Sequence, residues 1–152
     1  MSESFAPSGR LDGRLHRYPI RVYIEDTDLG GIVYHSNYLR YAERARTEML
    51  RLLGVSHAQM METDGLFFAV RWCEMDFLRP ARLDDEVEVR TRILKVGGAS
   101  VLAEQVLARA ADGLDLVRIQ IKLAAMGRDL APARLSAPLR ALLTDFISQE
   151  RD

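Results

Sequence analysis

The chain has 152 residues, 48% of them hydrophobic and 28% charged, which suits one domain with its own core and is too few for two. Its 21 Lys and Arg face 22 Asp and Glu, so it lacks the basic excess that non-specific nucleic-acid binding requires. Cys73 is the only cysteine, which excludes an intrachain disulfide; His16, His35 and His57 show no zinc-ligand spacing, and no apolar run is long enough to span a membrane.

Residues 1–16 are rich in Ser, Gly, Pro and Arg and lack a signal-peptide apolar core, so they read as a flexible N-terminal tail on a cytoplasmic protein. Residues 17–148 read as a single domain. A first strand is predicted from Arg17 to Ile24, with Tyr18, Ile20, Val22 and Ile24 on one face. Glu25-Asp26-Thr27-Asp28-Leu29-Gly30-Gly31 cannot continue it and is a loop. Ser36 or Asn37 can then cap a helix to about Leu53, with an apolar stripe of Tyr38, Tyr41 or Ala42, Ala45, Met49 and Leu52. Arg40, Glu43, Arg44, Arg46, Glu48 and Arg51 fall largely outside that stripe, and Gly54 closes the helix. A short helix follows, roughly Ser56 to Glu62, stopped by Asp64-Gly65.

Beyond Gly65 the period changes from helical to two. Leu66 to Leu78 is apolar on both faces, Glu86 to Leu94 alternates, Gly97-Gly98 turns into Ser100 to Arg109, and Asp112-Gly113 turns into Leu114 to Met126. Ser136 to Ile147 is an amphipathic C-terminal helix. The order implies an α+β fold of about five antiparallel strands with one long helix across the sheet. The second apolar face of Leu66–Leu78 is most simply covered by another subunit, which predicts a homo-oligomer.

No G-x-S-x-G elbow, P-loop, dinucleotide fingerprint or metal-spaced cluster is present, so neither metal nor organic cofactor is expected. The chemistry falls to carboxylates, histidine and backbone amides, and these meet in the loop before the long helix. Asp26 and Asp28 project to one side of an extended stretch, Gly30 and Gly31 let the backbone approach a ligand, and the helix start offers unpaired amides to a developing oxyanion. A carboxylate facing such amides can activate water or attack an acyl carbon, and a thioester suits it because a thiolate leaves readily. Taken alone, aspartates beside glycines are more commonly turn-formers that bond their own backbone.

The stretch from Val22 to Tyr41, with Asp26-Thr27-Asp28-Leu29-Gly30-Gly31-Ile32-Val33-Tyr34-His35-Ser36-Asn37-Tyr38 at its centre, resembles the signature of the 4-hydroxybenzoyl-CoA thioesterase family. It matches every fixed position of D-T-D-x-G-G-x-V-Y-H-x-N-Y in the Tol–Pal-associated (YbgC-type) branch, and Asp76 to Asp85 and Gly97-Gly98-Ala99-Ser100 extend the likeness over roughly Arg17 to Met126. The resemblance implies a hotdog fold, a long helix wrapped by an antiparallel sheet, assembled as a dimer or tetramer. It implies hydrolysis of an acyl-CoA, or of a thioester on an acyl carrier protein, to a free acid. Asp28 then stands as nucleophile or general base, and the amide at His35 polarises the carbonyl, with the imidazole of His35 also implicated. Tyr34, Gly31, Asn37 and Ser100 are the substrate-binding candidates it suggests, and Asp26 a loop brace.

Glu43, on the long helix among arginines, is read as a solvated ion-pair partner, Cys73 as an inert strand residue and His16 as part of the tail. Arg79, Arg82, Lys95, Arg118 and Arg128 are all open as phosphate anchors, since the turn Val96-Gly97-Gly98-Ala99 lacks the basic residue that some relatives carry there. Two rival classes stay open at this point: a hotdog dehydratase or hydratase, and a non-catalytic partner of envelope or lipid-synthesis proteins. The acyl group is not written in the sequence.

Overall fold

The computed structural model describes residues 6–148. Six antiparallel strands form one sheet: β1 (Arg10–Asp12), β2 (Leu15–Arg21), β3 (Leu66–Phe77), β4 (Glu86–Val96), β5 (Ser100–Arg109) and β6 (Asp115–Gly127), in the spatial order β1-β2-β4-β5-β6-β3. The long helix α1 (Asn37–Leu52) lies across one face, packing on β2, β4 and β5. A short α2 (His57–Asp64) leads into β3, and the C-terminal α3 (Ala137–Ser148) packs against β4.

The strands β3 to β6 and all three helices lie within a residue or two of their predicted bounds, because turn chemistry punctuates each one. Ser56 Oγ accepts from the Gln59 amide at 3.1 Å to cap α2, and Gly65 ends it in the left-handed region at φ 64°. The Gly97 amide donates to the Ser100 carbonyl at 2.7 Å across the β4–β5 turn. A bulge between Ile93 and Lys95 lets β4 run on to Val96.

The N-terminal segment departs from expectation. In place of a tail over residues 1–16, Arg10–Asp12 pairs with Leu15–Arg17 as a hairpin around Gly13, and His16 is fully buried; residues 1–5 lie outside the described residues. The Asp12-Gly13 dipeptide is a hairpin signal that a Ser/Gly/Pro-rich composition obscured. It accounts for the sixth strand. The first long strand correspondingly starts earlier and ends at Arg21, and Ile24 is exposed in a 3-10 turn (Ile24–Asp26) instead of sharing the buried face of Tyr18, Ile20 and Val22.

The core lies between α1 and the sheet. Tyr38, Tyr41, Ala42 and Ala45 are buried there against Val87, Val89, Leu107 and Ile121, and Met49 belongs to a second cluster with Ile93 and Val101, each large apolar side chain contributing about 1.5–3 kcal/mol. Leu52 is exposed, whereas Arg46 and Glu48, expected on the polar side, are buried. The apolar stripe is widened by polar ties: Arg46 Nη1 donates to Gln105 Oε1 at 2.9 Å, and Gln105 Nε2 donates to the Ala42 carbonyl and Thr91 Oγ1, both at 2.9 Å. On the other flank, Ser8 of the N-terminal segment and Arg51 both donate to Glu48 Oε1.

Candidate functional site

The loop between β2 and α1 is a tight reversal. Thr27 bridges Val33, the Asp28 amide donates to the Ile32 carbonyl at 2.9 Å, and the Gly31 amide donates to the Asp28 carbonyl at 3.1 Å. Gly31 has φ 76°, a conformation that strains any residue with a Cβ, and Leu29 stands fully exposed at the tip. The reversal is fastened to the segment before β4, since Val33 donates to Ala81 and Leu83 donates to Gly31.

Asp28 is exposed, and its Oδ1 accepts from the Gly30 amide at 2.8 Å. The aspartate is therefore an Asx turn, and the turn aims it: one oxygen is fixed, and Oδ2 accepts no hydrogen bond among the described residues. Asp26 works differently. Its Oδ2 accepts from the Tyr23 amide at 2.9 Å, and its carbonyl accepts from both the Tyr34 amide and Asn37 Nδ2, each at 2.9 Å. Burial first, and the Asp26 carboxylate next, push the Tyr41 hydroxyl well above the usual phenol range. That hydroxyl is sealed in the core without a formed hydrogen bond among the described residues.

The helix begins at Asn37, two residues later than His35. The Asn37 amide closes a turn onto the Tyr34 carbonyl at 2.9 Å, so His35 and Ser36 sit at its corner, and neither amide donates to an acceptor among the described residues. Ser36 makes no capping bond and the Asn37 side chain reaches back to Asp26, so the expected side-chain cap is missing and the helix entrance is left open. The His35 and Tyr34 rings are both exposed, 4.4 Å apart and tilted by 35°. Tyr38 fixes the entrance from beneath by accepting from the Ala81 amide at 3.0 Å.

Asp26, Asp28, Gly31, Tyr34, His35 and Asn37 thus form one loop–helix unit. Ser100 does not join it within the subunit. The loop is fastened where β4 begins, through the Val22 amide on the Asp85 carbonyl, and Ser100 follows the end of β4. An eleven-residue strand of about 3.3 Å per residue separates them.

At that far end lies a cation the sequence did not single out. Arg134, in the segment after β6, lies over the β4–β5 turn so closely that a Cβ on Gly98 would stand 3.0 Å from its Nη2. The Leu135 amide holds the segment there by donating to the Gly98 carbonyl at 2.8 Å. Arg134 is exposed with no ion-pair or hydrogen-bond partner among the described residues, and the Gly98 and Ala99 amides beneath it donate to none either. By contrast, Arg79 donates to the Asp115 carbonyl, Arg118 pairs with Asp115, and Arg128 donates to the Met61 carbonyl. No local motif links Arg134 to residue 98; only the path of the chain after β6 does.

A carboxylate with one free oxygen and open amides at a helix entrance share one loop on an antiparallel sheet, and groups of these two kinds can attack an acyl carbon and stabilise the oxyanion that forms. The chain belongs to the Thioesterase superfamily, which it matches over residues 30–115. It is 40% identical over 111 residues to the acyl-CoA thioesterase YbgC of Haemophilus influenzae, covering 73% of this chain and 82% of that one. It is 44% identical over 104 residues to the acyl-CoA thioester hydrolase YbgC of Escherichia coli, covering 68% and 77%. Among solved structures it resembles a probable thioesterase from Bartonella henselae, with 36% identity, a TM-score of 0.76, and coverage of 80% and 98%. No helix among the described residues is long and apolar enough to cross a membrane.

Proposed function

We propose that the protein hydrolyses acyl-CoA thioesters to a free acid and CoA, with Asp28 as the reacting carboxylate. The observation that carries this reading is the Asx turn, which fixes Oδ1 on the Gly30 amide and leaves Oδ2 free beside the open helix entrance. The thioester carbonyl oxygen lies toward the His35 and Ser36 amides, which stabilise the negative charge as the carbonyl carbon becomes tetrahedral. Asp28 takes a proton from water as water attacks, or attacks the carbon itself to give a mixed anhydride that water opens. In either course the C–S bond breaks, the thiolate leaves with CoA and is protonated, and the acid remains. His35 contributes its amide first; Tyr34 and Gly31 border the entrance, and Asn37 holds it. The names of the relatives support CoA as carrier.

The working unit is a homo-oligomer in the cytoplasm. The edge strand β3 pairs only with β6 among the described residues and exposes Val70 at 55%, Trp72 at 45% and Phe77 at 53%. A long apolar edge of that kind calls for a partner. Antiparallel pairing of two β3 edges about a two-fold axis turns one copy end for end. The Ser100 and Arg134 end of one copy then approaches the Asp28 loop of the other, and Arg134 with the Gly98 and Ala99 amides takes a CoA phosphate.

Asp28→Asn tests the mechanism cleanly, because asparagine keeps an Oδ1 that can accept from Gly30. Its kcat/KM on acyl-CoA should fall about 10²–10⁴-fold, the usual worth of a general base, with the fold intact by thermal melting. Wild-type activity in the variant would end the assignment.

A further inference from the structure

Among the described residues, four backbone hydrogen bonds tie the loop that carries Asp28 to a distant part of the chain, and all four end in one short segment before β4. Where the chain enters the loop, the Val22 amide donates to the Asp85 carbonyl at 2.9 Å and the Asp84 amide donates to the Val22 carbonyl at 3.1 Å. Where it leaves, the Leu83 amide donates to the Gly31 carbonyl at 3.1 Å and the Val33 amide to the Ala81 carbonyl at 2.9 Å. The Ala81 amide also donates to the Tyr38 hydroxyl at 3.0 Å, which ties the start of α1 to the same segment. Residues 81–85 therefore grip both ends of the loop and the helix entrance together.

That grip depends on a turn closed by Asp85. Its amide donates to the Arg82 carbonyl at 3.0 Å, and its Oδ2 accepts from the Arg82 amide at 2.9 Å, so backbone and side chain shut the turn together. The two residues between, Leu83 and Asp84, are those whose amides reach Gly31 and Val22. Asp84 stands at φ 70°, a left-handed conformation unfavourable to a residue with a Cβ, and such strain persists only where surrounding contacts hold it. Asp85 also faces Arg109, but weakly. Arg109 Nε lies 3.6 Å from Asp85 Oδ2, whereas its Nη1 lies 2.8 Å from Asp112 Oδ2, and the Asp85 side chain is 24% exposed. A long, part-solvated ion pair contributes little, so the bond to the Arg82 amide decides the turn.

We propose that Asp85 is a positioning residue for thioester hydrolysis: by closing the Arg82–Asp85 turn it sets where Asp28 stands relative to the amides of His35 and Ser36. This rests on the thioesterase reading above and adds to it a residue outside the loop. The carboxylate of Asp85 touches no reacting atom. It holds the Leu83 and Asp84 amides at the spacing that Gly31 and Val22 require, and the loop between those two anchors takes its shape from that spacing. With the turn opened, the anchors part and Oδ2 of Asp28 drifts from the oxyanion amides. A misplacement of about 1 Å, arising far from the chemistry, costs about 10²-fold in rate.

The test is steady-state kinetics on one acyl-CoA, with free-thiol release as readout and a thermal melt of each variant beside it. Asp85→Ala removes the side-chain bond of the turn and should lower kcat by roughly 10–100-fold while KM stays within about threefold. Asp85→Asn keeps an oxygen that accepts from the Arg82 amide and loses only the charge, so it should recover most of that kcat. In an Asp28→Asn background the further loss from Asp85→Ala should shrink toward nothing, because both act through one group. Should Asp85→Ala not fold, Asp84→Val disturbs the same turn from an exposed position, where a β-branched residue resists φ 70°. It should lower kcat likewise, whereas Asp84→Gly, which accepts that angle, should not. A folded Asp85→Ala or Asp84→Val with the kcat of the wild type overturns the inference. So does an Asp85→Asn no better than the alanine variant, a loss that falls on KM alone, or a loss undiminished beside Asp28→Asn. A wild type that releases thiol from no acyl-CoA sinks the thioesterase reading itself, and this inference with it.

Discussion

Asn37 Nδ2 donates to the carbonyl oxygen of Asp26 at 2.9 Å, so the first residue of α1 holds the turn that precedes the Asp28 loop. The same carbonyl accepts from the Tyr34 amide, which makes Asp26 the point where loop and helix entrance are locked together. Asn37→Ala and Asn37→Asp both remove the donor. Each should cost about 1–2 kcal/mol of stability, the worth of a part-buried hydrogen bond. Each should also lower kcat more than it raises KM, because Asp28 and the open amides lose their mutual alignment while the rest of the surface is unchanged. Denaturant melts and steady-state kinetics on one acyl-CoA would check both; a variant with normal kcat would show that the lock has no part in catalysis.

Arg134 should matter only to substrates that carry the nucleotide. Arg134→Ala is expected to raise KM for acyl-CoA by roughly tenfold or more, as the loss of a charge-assisted contact does. The same acyl group on a short thiol without phosphates should be hydrolysed equally by variant and wild type. Gly98→Ala offers an independent approach to the contact, since a Cβ there stands 3.0 Å from the guanidinium and makes it shift from its place over the turn. A KM effect of equal size on both substrates would place Arg134 outside phosphate recognition.

Most of the sheet and the residues of the loop–helix unit are legible because they are written locally, whereas the missing side-chain cap and the 3-10 turn before the loop are not. Asp64-Gly65, Gly97-Gly98 and Asp112-Gly113 punctuate the strands, and the carboxylates and glycines of the loop lie within a few residues of one another. What escaped depends on contacts between distant segments. Arg46 and Glu48 read as polar-face residues because helical periodicity sees only α1, and their burial comes from Gln105 on β5 and from Ser8. His16 read as tail because its burial depends on a hairpin seeded by Asp12-Gly13. Arg134 was invisible for the same reason: it meets Gly98 through the irregular chain after β6. An Asx turn is the ordinary use of an aspartate beside glycines, and at Asp28 it occupies Oδ1 alone, so the turn and a reacting Oδ2 are compatible.

The edge of β3 gives a direct test of assembly. Val70 is 55% exposed beside the bulge that separates it from Trp72 in the pairing with β6. A lysine there costs the single subunit little but places a charge in any apolar edge-to-edge contact. Val70→Lys should shift the protein to a smaller species in sedimentation velocity. It should also lose activity in proportion, if one copy's turn serves the other's loop. An unchanged sedimentation profile would mean that β3 is not the joining edge.

His16 sets an acid limit on stability. Its ring is fully buried, Nε2 lies 2.8 Å from the Ser8 carbonyl and therefore carries the proton, and Nδ1 is sealed without a partner among the described residues. Burial is the largest influence and holds its pKa below the ordinary 6.5; the Ser8 contact and the Glu48 carboxylate pull it back only in part. In acid the unfolded chain therefore binds a proton that the native chain resists. The contribution is fully present above about pH 6.5 and is lost as pH falls from there toward the folded value. His57, also lowered by burial, adds in the same direction. Unfolding free energies from urea melts at about pH 7.5 down to about pH 5.5 should fall for the wild type, by at most ~1.4 kcal/mol per pH unit from each group, and the midpoints with them. His16→Gln keeps a donor toward Ser8 but cannot titrate, so its midpoint should fall less steeply, retaining only the slope of His57. Parallel curves for the two proteins would remove His16 from the acid transition.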